Sequence, residues 1–136
     1  MIGIDTNLLV RYITQDGPEA VDVARHLEQH CTSDNPGFIT IVCLCELVWV
    51  LDRAHAYDRP SICAILTKLL ETEQFEIESV EWVWRSIRDY EAGPADFSDY
   101  IIAYACKHHG ATPVHTLDRK AARSKLFYLA PATKDA

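Results

Sequence analysis

The sequence predicts an α/β protein built on a parallel sheet with helices on both faces. Two observations carry this. Short apolar segments of strand type recur along the chain, and each is followed by a stretch with helical periodicity. Polar or acidic residues stand where strands give way to helices, the edge at which parallel sheets place their chemistry.

Ile2-Gly3-Ile4 reads as a short buried strand running straight into Asp5-Thr6-Asn7. Any of these three polar side chains can cap the short helix that follows, Leu8 to Ile13. Asp16-Gly17-Pro18 punctuates, and Pro18 suits the first turn of a second helix with Ala20, Val23, Ala24, Leu27 and Cys31 on one face. Asp34-Asn35-Pro36-Gly37 is a turn. Phe38 to Ile41 is the second strand, followed by a long helix from Val42 to His55. Ser61 opens the next helix, where Ile62, Ile65, Leu66, Leu69 and Leu70 make the clearest amphipathic stripe in the chain. Phe75-Glu76-Ile77-Glu78 alternates like a strand. Val80, Val83, Trp84 and Ile87 mark a helix that ends at Ala92-Gly93-Pro94, and Asp96 to His109 forms another, stopped by Gly110. Pro113 to Thr116 is a strand, Asp118 to Ser124 a last short helix, and Phe127-Tyr128-Leu129 an edge strand. Residues 131–136 are expected to fray. No repeat, linker or low-complexity segment interrupts the pattern, so residues 1–136 are expected to form one domain.

The totals bound the function. Apolar residues make up 49% of 136, enough for a real core. The net charge of −7 excludes a general basic nucleic-acid coat. It is compatible with a nucleic-acid enzyme, because acids clustered at a cation site count as negative until the cation binds. Met1 to Asp5 shows no basic region followed by an apolar stretch, so a signal peptide is not expected, and no apolar run is long enough to span a membrane. Five cysteines, Cys31, Cys43, Cys45, Cys63 and Cys106, lie in apolar surroundings without a C-x-x-C pair. They are expected to be reduced core thiols in a cytoplasmic protein.

Four acids, Asp5, Glu46, Asp99 and Asp118, stand at strand ends or near helix starts without an obvious cationic neighbour. Glu46 interrupts the apolar run Ile41 to Leu51, where a bare charge would be costly to bury. Asp52 and Arg53 are expected on another face of that helix. Asp96-Phe97-Ser98-Asp99 fits a capping box. Asp99 is expected to double as a metal ligand, and Asp96 is either cap or auxiliary ligand. Thr116, beside Asp118, is placed to orient a carboxylate or a metal-bound water. Gathered together, such carboxylates repel one another unless a divalent cation lies between them, and oxygen-only ligands suit Mg²⁺ or Mn²⁺. That chemistry points to phosphodiester hydrolysis.

The ordered set Ile4-Asp5-Thr6-Asn7, Glu46, Asp96-Phe97-Ser98-Asp99-Tyr100-Ile101-Ile102-Ala103 and Thr116-Leu117-Asp118-Arg119 resembles PIN-domain ribonucleases. Within them it is most similar to the toxin half of bacterial VapBC-type toxin–antitoxin pairs. The resemblance implies a three-layer α/β/α PIN-like fold around a central twisted parallel sheet. It also implies a Mg²⁺/Mn²⁺-dependent endoribonuclease and an antitoxin that blocks its site. One or two ions would be held by Asp5 and Asp99, with Glu46 and Asp118 binding directly or through water, and with Thr6, Asn7 and Thr116 in support. Leu117 departs from the family, where phenylalanine is frequent, and is expected to change packing only.

Phosphate contacts fall to Arg11, Arg119, Lys120 and Arg123, with Lys107 and Lys125 as further cations near the acids. The six histidines are not spaced as metal pairs. Trp49, Trp82, Trp84 and the apolar helices around residues 42–70 offer surface for an antitoxin segment or a second copy in a homodimer. Two other functions compete. A non-catalytic PIN-fold interaction protein would be expected to have lost at least one acid. A phosphatase using Asp5 as nucleophile wants a second acid where Asn7 stands.

Overall fold

The computed structural model describes residues 1–131, so the fraying expected for residues 131–136 falls, beyond Pro131, outside the described residues. The chain divides into two compact units, Met1–Val80 and Glu81–Ala136.

In the first unit, β1 (Ile2–Gly3), β2 (Gly37–Ile39) and β3 (Phe75–Ile77) form a parallel sheet in the order β1-β2-β3. Ile2 pairs with Gly37, and Phe38 lies between Gly3 and Glu76. Helices α1 (Thr6–Thr14) and α2 (Ala20–His30) connect β1 to β2, and α3 (Ile41–Arg53) and α4 (Arg59–Glu71) connect β2 to β3. The core is aliphatic: Leu9, Leu27, Ile39, Leu44, Leu47, Leu51, Ile62 and Leu66 are all but inaccessible. The amphipathic stripe of α4 is buried at Ile62, Leu66 and Leu69, as its spacing predicts, while Ile65 and Leu70 are partly exposed. Gly37 has a packing reason, since a Cβ there would stand 2.8 Å from the Cys31 Sγ.

Because the strands are parallel, their carboxyl ends share one edge of the sheet. The chain leaves that edge through Asp5 after β1, Thr40 after β2 and Glu78 after β3. Thr40 caps α3, its hydroxyl accepting from the Cys43 N–H at 3.1 Å. Glu78 caps the same helix from the neighbouring strand, with Oε1 accepting from the Ile41 N–H at 2.9 Å.

The second unit holds α5 (Val80–Ala92, from its second residue on), α6 (Phe97–His108), β4 (Val114–Thr116), a 3₁₀ turn (Ala121–Arg123) and β5 (Phe127–Leu129). The expected edge strand is present and pairs in parallel with β4, Val114 opposite Phe127 and Thr116 opposite Leu129. Val83, Ser86, Ile87 and Tyr90 of α5 and Phe97, Tyr100, Ile101 and Ala103 of α6 are buried. Gly93 is forced by its neighbour, because a Cβ there would collide with the Tyr100 hydroxyl. The expected helix from Asp118 to Ser124 shrinks to the single 3₁₀ turn. The α/β class read from the sequence is thus observed, and every strand pairing is parallel.

All five cysteines are free, and Cys31, Cys43 and Cys63 are buried. Burial pushes the thiols of Cys31 and Cys43 above their ordinary value and that of Cys45 to about 11, so these three stay protonated and unreactive at neutral pH.

Candidate functional site

In the first unit the site is built around one residue, Thr6. Asp5 is the residue that caps α1: its Oδ1 accepts from the Thr6 N–H at 2.7 Å, and its carbonyl accepts the first helical bond from Leu9. Capping turns the Thr6 side chain toward α3, where Oγ1 donates to Glu46 Oε1 at 2.6 Å. Thr6 also hydrogen-bonds the Cys43 thiol. The charges of Glu46 and Asp5 add to burial in raising that thiol, which places both acids close to the start of α3. Asn7 is exposed in the first turn of α1, and its side chain has no hydrogen-bond partner among the described residues.

Glu46 is not an acid in a core. It lies on the exposed stripe of α3 formed by Val42, Glu46, Trp49 and Arg53. The expectation that Arg53 faces elsewhere is corrected: seven residues of helix make almost two full turns and return to the same face. Asp52 does lie on a different bearing. Arg53 does not neutralise Glu46; its guanidinium stands 5.9 Å from the Trp49 ring centre and 3.9 Å from Asp52.

In the second unit the acids are held by backbone amides. Asp96 and Asp99 form a reciprocal capping box, with Asp99 Oδ2 accepting from the Asp96 N–H at 3.0 Å. Asp96 is therefore the helix cap. Asp99 is half-buried, and that burial raises its carboxyl above the ordinary range. The Asp96 N–H opposes the shift, while the charges of Asp96 and Asp118 reinforce it. Asp118 Oδ1 accepts from the Lys120 N–H at 2.8 Å and from the Ala121 N–H at 3.2 Å, which starts the 3₁₀ turn. Thr116 acts on the backbone of Asp118, its hydroxyl oxygen accepting from the Asp118 N–H at 3.0 Å. Leu117 is 78% exposed, so its departure from the family alters no core packing.

Asp5, Glu46, Asp99 and Asp118 share two properties. Each ties one carboxylate oxygen to an N–H or O–H and leaves the other without a hydrogen-bond partner among the described residues. None of the four is ion-paired with a described lysine, arginine or histidine. Oriented, uncompensated carboxylate oxygens are the donor chemistry that suits a hard divalent cation. Among the described residues no three histidine, cysteine or acidic side chains stand as a preformed ion cage.

The expected phosphate-binding cations differ in availability. Arg11 is engaged, with Nη1 2.5 Å from Glu19 Oε1. Arg119, Lys120 and Arg123 are exposed and pair with no acid among the described residues. The sequence reading overlooked Glu78, which fixes the N-terminus of the helix that carries Glu46. Its only signal was its position directly after the alternating strand Phe75 to Ile77.

Comparison with known families matches residues 2–125 to the PIN domain. A similar curated relative is a VapC ribonuclease of Aquifex aeolicus (strain VF5), 20% identical over 117 residues, a stretch that covers 86% of this chain and 87% of that protein. The family match extends over nearly the whole chain and fits the α/β/α fold class. This chain belongs to the PIN domain family.

Proposed function

We propose that this PIN-domain chain is a divalent-metal-dependent endoribonuclease and the toxin of a toxin–antitoxin pair. The observation that carries the reading is the set of four half-anchored, uncompensated carboxylates, Asp5, Glu46, Asp99 and Asp118, in a chain matched to the family from residue 2 to 125. The match runs through both compact units, which supports treating them as one PIN domain and the four acids as one functional set. The ribonuclease and toxin assignments draw on the Aquifex aeolicus relative.

Asp5 and Asp99 would hold one or two Mg²⁺ or Mn²⁺ ions, with Glu46 and Asp118 binding directly or through water. A bound ion supplies Lewis-acid stabilisation at the scissile phosphate and acidifies water near neutral pH. The remaining work belongs to the chain. Thr6 keeps Glu46 Oε1 occupied, which leaves Oε2 as the oxygen available to an ion. The capping bonds do the same for Asp5, Asp99 and Asp118, which removes the entropy of searching for a binding geometry. Arg119, Lys120 and Arg123, next to Asp118, are the phosphate contacts, and Arg11 is the weakest candidate because Glu19 already holds it. Asp96 serves as helix cap. Expected partners are an RNA substrate, a cognate antitoxin and a second copy of the chain, in the cytoplasm.

The test is cleavage of a mixed RNA pool with Mn²⁺, with EDTA, and with Asp99→Asn. Cleavage that needs Mn²⁺ and is lost in a folded Asp99→Asn protein is the expected result. Undiminished cleavage by that variant, or cleavage unaffected by EDTA, refutes the assignment.

A further inference from the structure

We propose that the outward stripe of α5, formed by Trp84, Arg85 and Arg88, is a docking track for single-stranded RNA. The two guanidinium groups would take neighbouring phosphates and the Trp84 ring would stack on an unpaired base. The inference rests on the ribonuclease reading and names a substrate surface that the acidic set does not include.

Helix α5 has two distinct faces. Val83, Ser86, Ile87 and Tyr90 are buried, whereas Glu81, Trp84, Arg85 and Arg88 recur at i, i+3, i+4 and i+7 and line one surface groove. Arg85 and Arg88 are exposed, and neither is within ion-pair distance of a carboxylate among the described residues, although the chain carries a net charge of −7. Arg85 is held in place by a ring: its guanidinium lies 5.9 Å from the centre of Tyr104, whose hydroxyl donates to Asp89. Trp82 is already occupied by His108, with ring centres 5.5 Å apart. Trp84 is half-buried, lines the groove with part of its ring, and has no ring partner among the described residues.

Two arginines without an ion pair among the described residues, beside a partly exposed aromatic ring, select for a ligand that carries both anions and flat rings. Arginine pairs well with phosphate through its planar fork of donors. An aromatic face beside a cationic groove is how proteins hold unpaired strands without sequence preference. An inorganic anion or an acidic peptide would satisfy the arginines and leave Trp84 unused. Glu81, at one end of the stripe, opposes phosphate and predicts an effect of opposite sign.

The experiment measures binding of a fluorescent, unstructured RNA oligonucleotide to the full chain in EDTA across a salt series, with circular dichroism to verify folding. In Arg85→Gln/Arg88→Gln the slope of log affinity against log salt becomes shallower by about 1.4, roughly 0.7 for each phosphate that is no longer neutralised. Arg88→Gln alone gives half that change and keeps the test valid if separating Arg85 from Tyr104 unfolds the protein. Trp84→Ala weakens binding by roughly fivefold to a hundredfold, the scale of one stacked base, while Trp84→Phe retains most of it. Glu81→Gln tightens binding.

Unchanged affinity and salt slope in folded Arg88→Gln and Trp84→Ala proteins overturn the proposal. So does a loss of binding to inorganic polyphosphate that matches the loss for RNA, which would indicate an anion patch alone. A change in the sedimentation of the protein without RNA overturns it in favour of an interface between copies. Mn²⁺-dependent cleavage is scored separately. RNA binding through α5 without any cleavage refutes the ribonuclease reading alone, and cleavage with an unaltered KM in the α5 variants refutes the track alone.

Discussion

The two compact units orient their acids by different means. In Met1–Val80, Asp5 and Glu46 are related through one residue: Asp5 accepts from the Thr6 N–H, and Glu46, forty residues beyond Thr6, accepts from its hydroxyl. In Glu81–Ala136, Asp99 and Asp118 are held by amides within three residues of themselves. The first arrangement exists only when β1 and β2 are paired and α1 meets α3. The second is written into local turns and needs little beyond its own helix start or strand end. A long-range arrangement is sensitive to a single hydroxyl, and a local one is sensitive to its caps.

The largest expected effect tests what the units share. Asp5→Asn, Glu46→Gln and Asp99→Asn each keep an acceptor oxygen and remove a charge, so each is expected to fold and to lose cleavage by on the order of a hundredfold or more. An effect confined to one unit would break the reading of the acids as one set. Next comes Thr6→Val, which deletes the hydroxyl that orients Glu46 and leaves the Thr6 N–H on Asp5 in place. A hydrogen bond to a charged group contributes about 1.5–3 kcal/mol, and this exposed one sits at the low end, so activity should drop roughly tenfold and return in Thr6→Ser. Equal activity of Thr6→Val and wild type would show that Glu46 orients without the hydroxyl.

A third variant separates capping from chemistry in the second unit. Asp96→Ala is expected to cost about 1 kcal/mol of stability, a fall in Tm of several degrees, with unchanged activity per folded molecule. Asp96→Ser should recover most of the stability. Loss of activity at full stability would return Asp96 to the ligand set.

The smallest effect concerns pH. The Asp99 carboxyl is raised in the folded chain, chiefly by burial. Its proton is therefore bound more tightly folded than unfolded, and this site's contribution to stability declines as pH rises through the raised value. Metal-free Asp99→Asn should be slightly more stable than wild type at pH 7, and the gain should vanish below the ordinary carboxylate range. Urea titrations at two pH values measure this. A gain that persists at low pH would assign it to packing instead. By the same shift, Asp99 loses its charge at a higher pH than an ordinary aspartate, so cleavage should begin to fail early on acidification.

The local arrangement was the more legible of the two. Asp96-Phe97-Ser98-Asp99 announces a capping box by its spacing alone, and the structure contains it. The Thr6–Glu46 bond has no local signature, because nothing in either segment specifies that α1 packs on α3. Helix starts were read to within a residue or two, since caps such as Thr40 and Asp58 act on the next turn. The helix expected after Asp118 failed for the same reason that Asp118 is well oriented. Its side chain accepts from Lys120 and Ala121, and the turn it begins closes at Arg123. Glu78 was missed because its partner, Ile41, lies in a different crossover, a relation that only strand order supplies.

The parallel sheet of the first unit has a kinetic consequence. Its strands are two or three residues long and pair positions as distant as Ile2 and Gly37, or Phe38 and Glu76. Pairings of this kind require large loops to close before any contact rewards the closure, and they form slowly. Helix content after dilution from denaturant should therefore return before the Thr6–Glu46 contact does. The interval between the two signals would measure how long the chain is fully helical and still lacks an oriented Glu46.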